Sequence, residues 1–236
     1  MQKKTNLYQK YFKRIFDLIL SLIAIIVFSP ILVIIVILVK VKLGSPVFFK
    51  QPRPGKSEKI FTMYKFRTMT DEKDLDGNLL PDDVRITKFG KILRSTSLDE
   101  LPGLFNIING SMSIVGPRPK LVRDMFFMSD EQRKRHTVLP GLTGYAQVNG
   151  RNNINWEERL ELDLRYIENI SFANDIRIIL QTVVKVFKKE DISTEGMETS
   201  EDLGDYLLRS NRICEQIYFE NIEKSEKLLE FNKESL

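Results

Sequence analysis

The order of apolar and polar positions divides the chain into unlike stretches. Residues 1–14 are polar and basic, with Tyr8, Tyr11 and Phe12 interspersed. Ile15 to Val39 is almost wholly apolar, and the 22 residues from Leu18 to Val39 carry no charge. At about 1.5 Å per helical residue, such a run matches a bilayer core of roughly 30 Å. It is too long for the apolar region of a cleaved signal peptide, and no small-residue cleavage site follows it.

Two features bear on how this run meets a membrane. Ser29-Pro30 stands in its middle, where proline removes a helical hydrogen bond and bends the chain. Both flanks are basic: the N-terminal lysines precede the run, and Lys40, Lys42, Lys50 and Arg53 follow it. The positive-inside rule therefore assigns no direction of crossing. A bent, re-entrant helix with both ends on the cytoplasmic face satisfies it; a kinked spanning helix is the alternative.

After residue 43 the periods shorten. Val47-Phe48-Phe49 and Ile60 to Tyr64 predict a β-hairpin interrupted at Pro52-Arg53-Pro54-Gly55. Residues 70–85 are acidic and turn-rich and read as a surface loop. Short helices are expected from Thr87 to Leu93, from Leu101 to Ile108 and from Ser129 to Arg135, and Ala146-Gln147-Val148 reads as a strand after a loop over 139–145. Trp156 to Glu168 forms a helix with Trp156, Leu160, Leu164 and Ile167 on its stripe, and Asp163 beside it could pair with Arg159 one turn earlier. Asp175 to Lys189 is amphipathic, with Leu180, Val183 and Val184 on a face suited either to a core or to a membrane interface. Residues 199–236 carry nine acids and five bases on a looser pattern and read as a helical appendage. The expected class is α+β, mainly helical, divided into an arm and membrane helix (1–43), a globular domain (44–197) and a C-terminal helical extension (198–236).

Charge and composition narrow the function. The net charge is +4, yet five cations precede the first acid, Asp17, so no general basic field for nucleic acid remains. One cysteine, Cys214, excludes an internal disulfide, and one histidine, His136, excludes a histidine-cluster metal site. Acid–base work therefore falls mainly to carboxylates, lysine or tyrosine. No internal repeat or nucleotide P-loop occurs.

The candidate chemistry centres on Arg94-Ser95-Thr96-Ser97-Leu98-Asp99-Glu100-Leu101-Pro102. Ser97-x-x-Glu100 has the form of a capping box, which would put Asp99 near the positive end of a helix dipole. An ionised carboxylate there can attack phosphorus or ligate Mg²⁺; a solvated first-turn acid is the plainer alternative. In Gly116-Pro117-Arg118-Pro119 the two prolines fix the backbone around a guanidinium suited to phosphate. Lys65 and Arg67 flank Phe66 at the end of the second predicted strand, where they could meet the same phosphate or simply be solvated.

In this order, the motifs resemble the bacterial sugar transferase family, the monotopic phosphoglycosyl transferases. The resemblance covers roughly residues 10–197. It rests on Ser29-Pro30, Tyr64-Lys65-Phe66-Arg67-Thr68-Met69, Arg94 with Asp99-Glu100-Leu101-Pro102, Ser113-Ile114-Val115-Gly116-Pro117-Arg118-Pro119, Pro140-Gly141-Leu142-Thr143-Gly144 and Gln147-Val148-Asn149-Gly150-Arg151. It implies a Mg²⁺-dependent enzyme at the cytoplasmic face of the inner membrane. Such an enzyme moves a sugar-1-phosphate from a UDP-sugar to polyprenyl phosphate through a phosphosugar–aspartate intermediate. It further implies a helix hinged at Ser29 and Pro30, Asp99 as nucleophile and Mg²⁺ ligand, and Glu100 as its partner. Lys65, Arg94, Arg118 and Asp163 would lie at the active site, and Arg67, Pro117, Pro119 and Arg151 around the substrate phosphates. The likeness is to the minimal form, without additional N-terminal membrane helices. A homodimer is compatible with this picture, although no heptad specifies one.

Overall fold

The computed structural model describes residues 7–150, 154–188 and 201–234. A short π-helical segment, Tyr8–Phe12, leads into the long helix α1, Lys13–Leu43. Among the described residues, this is the one helix long and apolar enough to cross a membrane. The backbone stays helical through Pro30. Proline cannot donate to the carbonyl four residues back, that of Ile26, and the Ser29 hydroxyl donates to it instead at 2.8 Å.

Polar residues near the start of α1 fasten it to the rest of the chain. Asp17, fully buried, accepts from the Ser113 hydroxyl at 2.7 Å and from the Ile114 amide at 3.1 Å. Arg14 donates to the carbonyls of Ile107 and Ile108 at 2.5 and 2.9 Å. The other end packs through apolar side chains: Ile35, Val39 and Leu43 are buried with Phe66 and Leu93. Between these anchorages Ile26, Val27, Val33 and Ile34 remain exposed. Both ends of the apolar helix thus rest on one body, while its middle presents bare hydrocarbon.

The hairpin forms where the two β-rich runs predict it. β1 (Phe48–Pro54) pairs antiparallel with β2 (Ile60–Phe66), although β1 extends through Pro52 and Pro54, expected to interrupt it. After α2 (Asp82–Arg85), α3 (Lys88–Ser95) starts at Thr87, whose hydroxyl caps the Gly90 amide. α4 (Gly103–Ile108) lies along β2. Its buried Asn106 accepts from the Tyr64 amide and donates to the Thr62 carbonyl, so a side-chain amide continues the strand's hydrogen bonding.

β3 (Ser113–Val115) pairs in parallel with β4 (Gly141–Thr143). A strand at 141–143 corrects the expected loop. A Cβ at Gly141 would lie 2.1 Å from the Gly116 nitrogen, so the two segments approach backbone to backbone. The strand expected at 146–148 is instead helical, within α7 (Tyr145–Asn149). Of these three residues only Val148 favours a strand, and the segment forms a helical turn packed against the helices that follow.

The remaining helices surround this pair. α5 (Val122–Phe126) and α6 (Asp130–Arg133) precede α8 (Trp156–Glu168) and α9 (Phe172–Lys188). Ile178 of α9 is buried with Val115 and Tyr166, whereas Leu180, Val183 and Val184 are exposed. Asp175 ties the N-terminal segment to this core by accepting from Tyr8, Lys13 and Tyr166. α10 (Leu203–Arg209) and α11 (Glu215–Glu234) fold back on α5. Leu203 packs with Trp156, Leu160 and Met128, and the Trp156 indole donates to the Glu201 carbonyl at 3.1 Å.

Candidate active site

The two adjacent carboxylates do not open an α-helix. Ser97 adopts the left-handed backbone region, with φ 55° and ψ 16°, and its side chain caps nothing. A 3₁₀ turn, Leu98–Glu100, follows before α4 begins. The expected capping box is therefore incorrect. A left-handed residue redirects the chain at the point where a cap would need extended backbone, and the Glu100 carboxylate is drawn elsewhere.

That carboxylate is held by two cations from different parts of the chain. Lys65, on β2, donates to Oε1 at 2.7 Å. Arg118 grips both oxygens, Nη1 reaching Oε2 at 3.2 Å and Nη2 contacting Oε1. Lys65 is aimed here because Asn106 fastens α4, just beyond the turn, to the neighbouring residue Tyr64. Despite burial, the pairing with Arg118 and Lys65 holds the Glu100 carboxyl far below its usual range.

Asp99 stands in the opposite condition. It is 7% exposed, and no side chain among the described residues donates a hydrogen bond to its carboxylate. Burial, followed by the negative charge of Glu100, pushes its pKa up to about 6; Lys65, Arg118 and Arg94 oppose this without cancelling it. The turn thus holds one carboxylate neutralised by cations beside one that is desolvated and unpaired. The first organises positive charge; the second is available to an electrophile or a cation.

Mg²⁺ fits this donor set. No group of three or more acidic, histidine or cysteine side chains capable of holding a metal occurs among the described residues. Mg²⁺ commonly binds through one or two carboxylates, with substrate phosphates and water completing its shell. Asp99 offers such a carboxylate, and both Glu100 oxygens are already engaged.

The other expected site residues separate into distinct roles. Arg94, on α3, bonds the Thr68 hydroxyl at 3.1 Å and adds to the positive potential at Asp99. Arg67 is turned to local structure, bonding the carbonyls of Met69 and Ser45 and pairing with Asp71. Asp163 does not pair with Arg159. It is buried against Arg135 at 2.7 Å, with side-chain exposures of 2% and 1%. Arg135 also donates to the Arg118 carbonyl at 2.5 Å. Asp163 thus acts on the site through the backbone between Pro117 and Pro119. Ser29 and Pro30 lie within α1, and Arg151 falls outside the described residues.

Some of this machinery escaped sequence reasoning. Arg135 sits in a charged run that reads as a solvated helix, and nothing local marks it as buried. Asn106 and Asp17 did carry a signal: each is a polar residue inside an apolar helical stretch, which burial tolerates only with a partner.

The chain matches the family model described as bacterial sugar transferase over residues 8–189. It is 50% identical over 189 residues to the sugar transferase EpsL of Bacillus subtilis, covering 80% of this chain and 94% of that protein. It is 43% identical over 192 residues to the UDP-glucose:undecaprenyl-phosphate glucose-1-phosphate transferase of Klebsiella pneumoniae, covering 75% and 40%. It is 34% identical over 198 residues to the undecaprenyl-phosphate galactose phosphotransferase of Salmonella typhimurium, covering 77% and 41%. The chain thus spans almost all of the Bacillus protein and about two fifths of the other two.

Proposed function

The chain belongs to the bacterial sugar transferase family, and on that premise we propose that it transfers a sugar-1-phosphate from a UDP-sugar to undecaprenyl phosphate. This reaction would initiate assembly of an exopolysaccharide, capsule or other glycoconjugate. The observation that carries the reading is the contrast within the turn: Glu100 gathers Lys65 and Arg118, leaving Asp99 buried and unpaired beside them. Two relatives are named as undecaprenyl-phosphate sugar phosphotransferases, which supports the acceptor class.

In the first step an Asp99 oxygen attacks the sugar-bearing phosphorus of the donor. The bond from that phosphorus to the bridging oxygen breaks, and UMP leaves with the electron pair. In the second step a phosphate oxygen of the acceptor attacks the same phosphorus and expels Asp99. The product is a polyprenyl diphosphate sugar. Splitting the transfer lets the two substrates use one phosphorus site in turn.

Both attacks bring anion to anion. Lys65, Arg94 and Arg118 lower that repulsion, with Glu100 keeping the first and last in register. Mg²⁺ bound by Asp99 and the donor phosphates would supply further charge neutralisation. The bare middle of α1 supports membrane association, which places the enzyme where a lipid acceptor and a water-soluble donor can both arrive. The contact of both helix ends with one body supports a re-entrant, monotopic seating on the cytoplasmic face.

The test is intact-protein mass spectrometry after mixing the full chain, Mg²⁺ and a panel of UDP-sugars without acceptor. The expected result is a mass gain of one sugar-phosphate, absent in Asp99→Asn, with the responding donors identified at the same time. Release of UMP that strictly requires polyprenyl phosphate, with no mass gain, would reject the covalent route.

A further inference from the structure

Arg118 joins two clusters of charge. One is Glu100 with Lys65, described above. The other is made of Lys120 and Arg159, which share the Trp156 ring, and Arg118 is among the neighbouring charges that disfavour the protonated form of each. Around this second cluster the cations, with Arg118 and Arg135, outnumber the carboxylates that attract them, Asp163 and Asp124. Asp163 is committed to Arg135. Asp124 accepts from the amides of Leu121 and Leu203. Glu100 is taken by Lys65 and Arg118.

Lys120 shows the imbalance most clearly. It is 9% exposed, and among the described residues its ammonium has no hydrogen-bond acceptor and no ion-pair partner. It lies 4.4 Å from the centroid of the Trp156 ring, with the Arg159 guanidinium 5.4 Å from the same centroid. One aromatic ring offsets an ammonium only in part. Crowding cations that outnumber their counter-charges is unfavourable, and an added anion would relieve it.

We propose that Lys120 and Arg159 form a second phosphate site beside the Asp99–Glu100 turn, which holds the non-transferred phosphate of the nucleotide donor. The inference rests on the function proposed above. A sugar-nucleotide carries two phosphates on one bridging oxygen, and Arg118 is the cation common to the two clusters. A donor whose sugar-bearing phosphorus meets Asp99 would lay its other phosphate toward Lys120. After the first step the same cations would hold the leaving UMP. Burial and the adjacent Arg159 push the Lys120 pKa well down, and a bound anion would lift it. The ring beneath Lys120 is itself braced by residues beyond the family match, through Leu203 and the Glu201 carbonyl.

The acceptor also carries a phosphate, so the test must separate the two sources. Lys120→Met and Arg159→Met keep an apolar stem while removing the charge, and deleting an unpaired buried ammonium leaves no orphaned partner. UMP and inorganic phosphate are titrated calorimetrically into the full chain in nanodiscs, and KM is measured for donor and for polyprenyl phosphate separately. The expected result for Lys120→Met is at least tenfold weaker UMP binding and a raised donor KM. The acceptor KM should stay unchanged, with melting no lower than wild type. Unchanged affinity for UMP and phosphate in both variants would overturn the site. A raised acceptor KM with normal UMP binding would overturn its assignment to the donor. Failure of wild type to form an adduct or release UMP would reject the proposed reaction, and the UMP and phosphate titrations would still decide the site.

Discussion

Asp99→Asn should abolish transfer and at the same time stabilise the metal-free protein. The Asp99 carboxyl titrates near 6 rather than at its ordinary 3.8 because the folded chain buries it beside Glu100. A carboxyl that holds its proton more tightly when folded destabilises the fold on ionising. The penalty is absent below pH 3.8, grows between 3.8 and 6, and is complete above 6. A rise of this size corresponds to about 3 kcal/mol. Asparagine has nearly the same shape and carries no charge, so at pH 7.5 the variant should recover most of that amount. For a chain of this length it corresponds to a melting temperature higher by about 6–12 °C. The gain should fall to about half by pH 5. The assay is thermal unfolding of both proteins in one detergent with EDTA across pH 5–8, paired with UMP release at pH 7.5 in Mg²⁺. Adding Mg²⁺ to the wild type should narrow the difference, because binding to the folded carboxylate offsets its desolvation. A variant that melts at or below wild type at pH 7.5 in EDTA would refute the account of Asp99 as a buried, unpaired charge.

Other substitutions examine the supports of the site. Asp163→Asn leaves the Arg135 guanidinium buried without its counter-charge, at a cost of about 3–5 kcal/mol. Because Arg135 also holds the Arg118 carbonyl, UMP release should fall even at temperatures where circular dichroism shows the variant folded. Leu203→Ala should cost about 2–5 kcal/mol by opening a cavity beside Trp156, read as a lower melting temperature.

Much of the fold could be read from local pattern because local pattern decides it. The uncharged run from Leu18 to Val39 reads as a helix of bilayer length and the β-rich runs on either side of Gly55 as a hairpin, and both form. The adjacent carboxylates and the proline-flanked Arg118 were recognisable as candidate chemistry, and the structure brings them together with Lys65. The expectations that failed depend on distant partners. Whether Gly141 to Thr143 forms a strand is decided by β3, nearly thirty residues earlier. Whether Glu100 caps a helix is decided by Lys65 and Arg118, which outbid a backbone amide with two full charges.

The same reasoning explains why the membrane helix cannot be treated as a mere tether. Arg14 satisfies carbonyls at the end of α4, the helix that follows Asp99 and Glu100. Three residues later Asp17 bonds Ser113 and Ile114 on β3, the strand that leads into Gly116-Pro117-Arg118. One turn of α1 therefore grips the supports of both halves of the Glu100–Arg118 pair. A local reading sees only an arginine and an aspartate at the edge of an apolar run, where snorkelling toward water is the ordinary expectation. In the folded chain they fix the spacing of two segments that carry opposite charges to one place. The long apolar helix and the segments that align the anionic turn with its cations are thereby joined through two side chains.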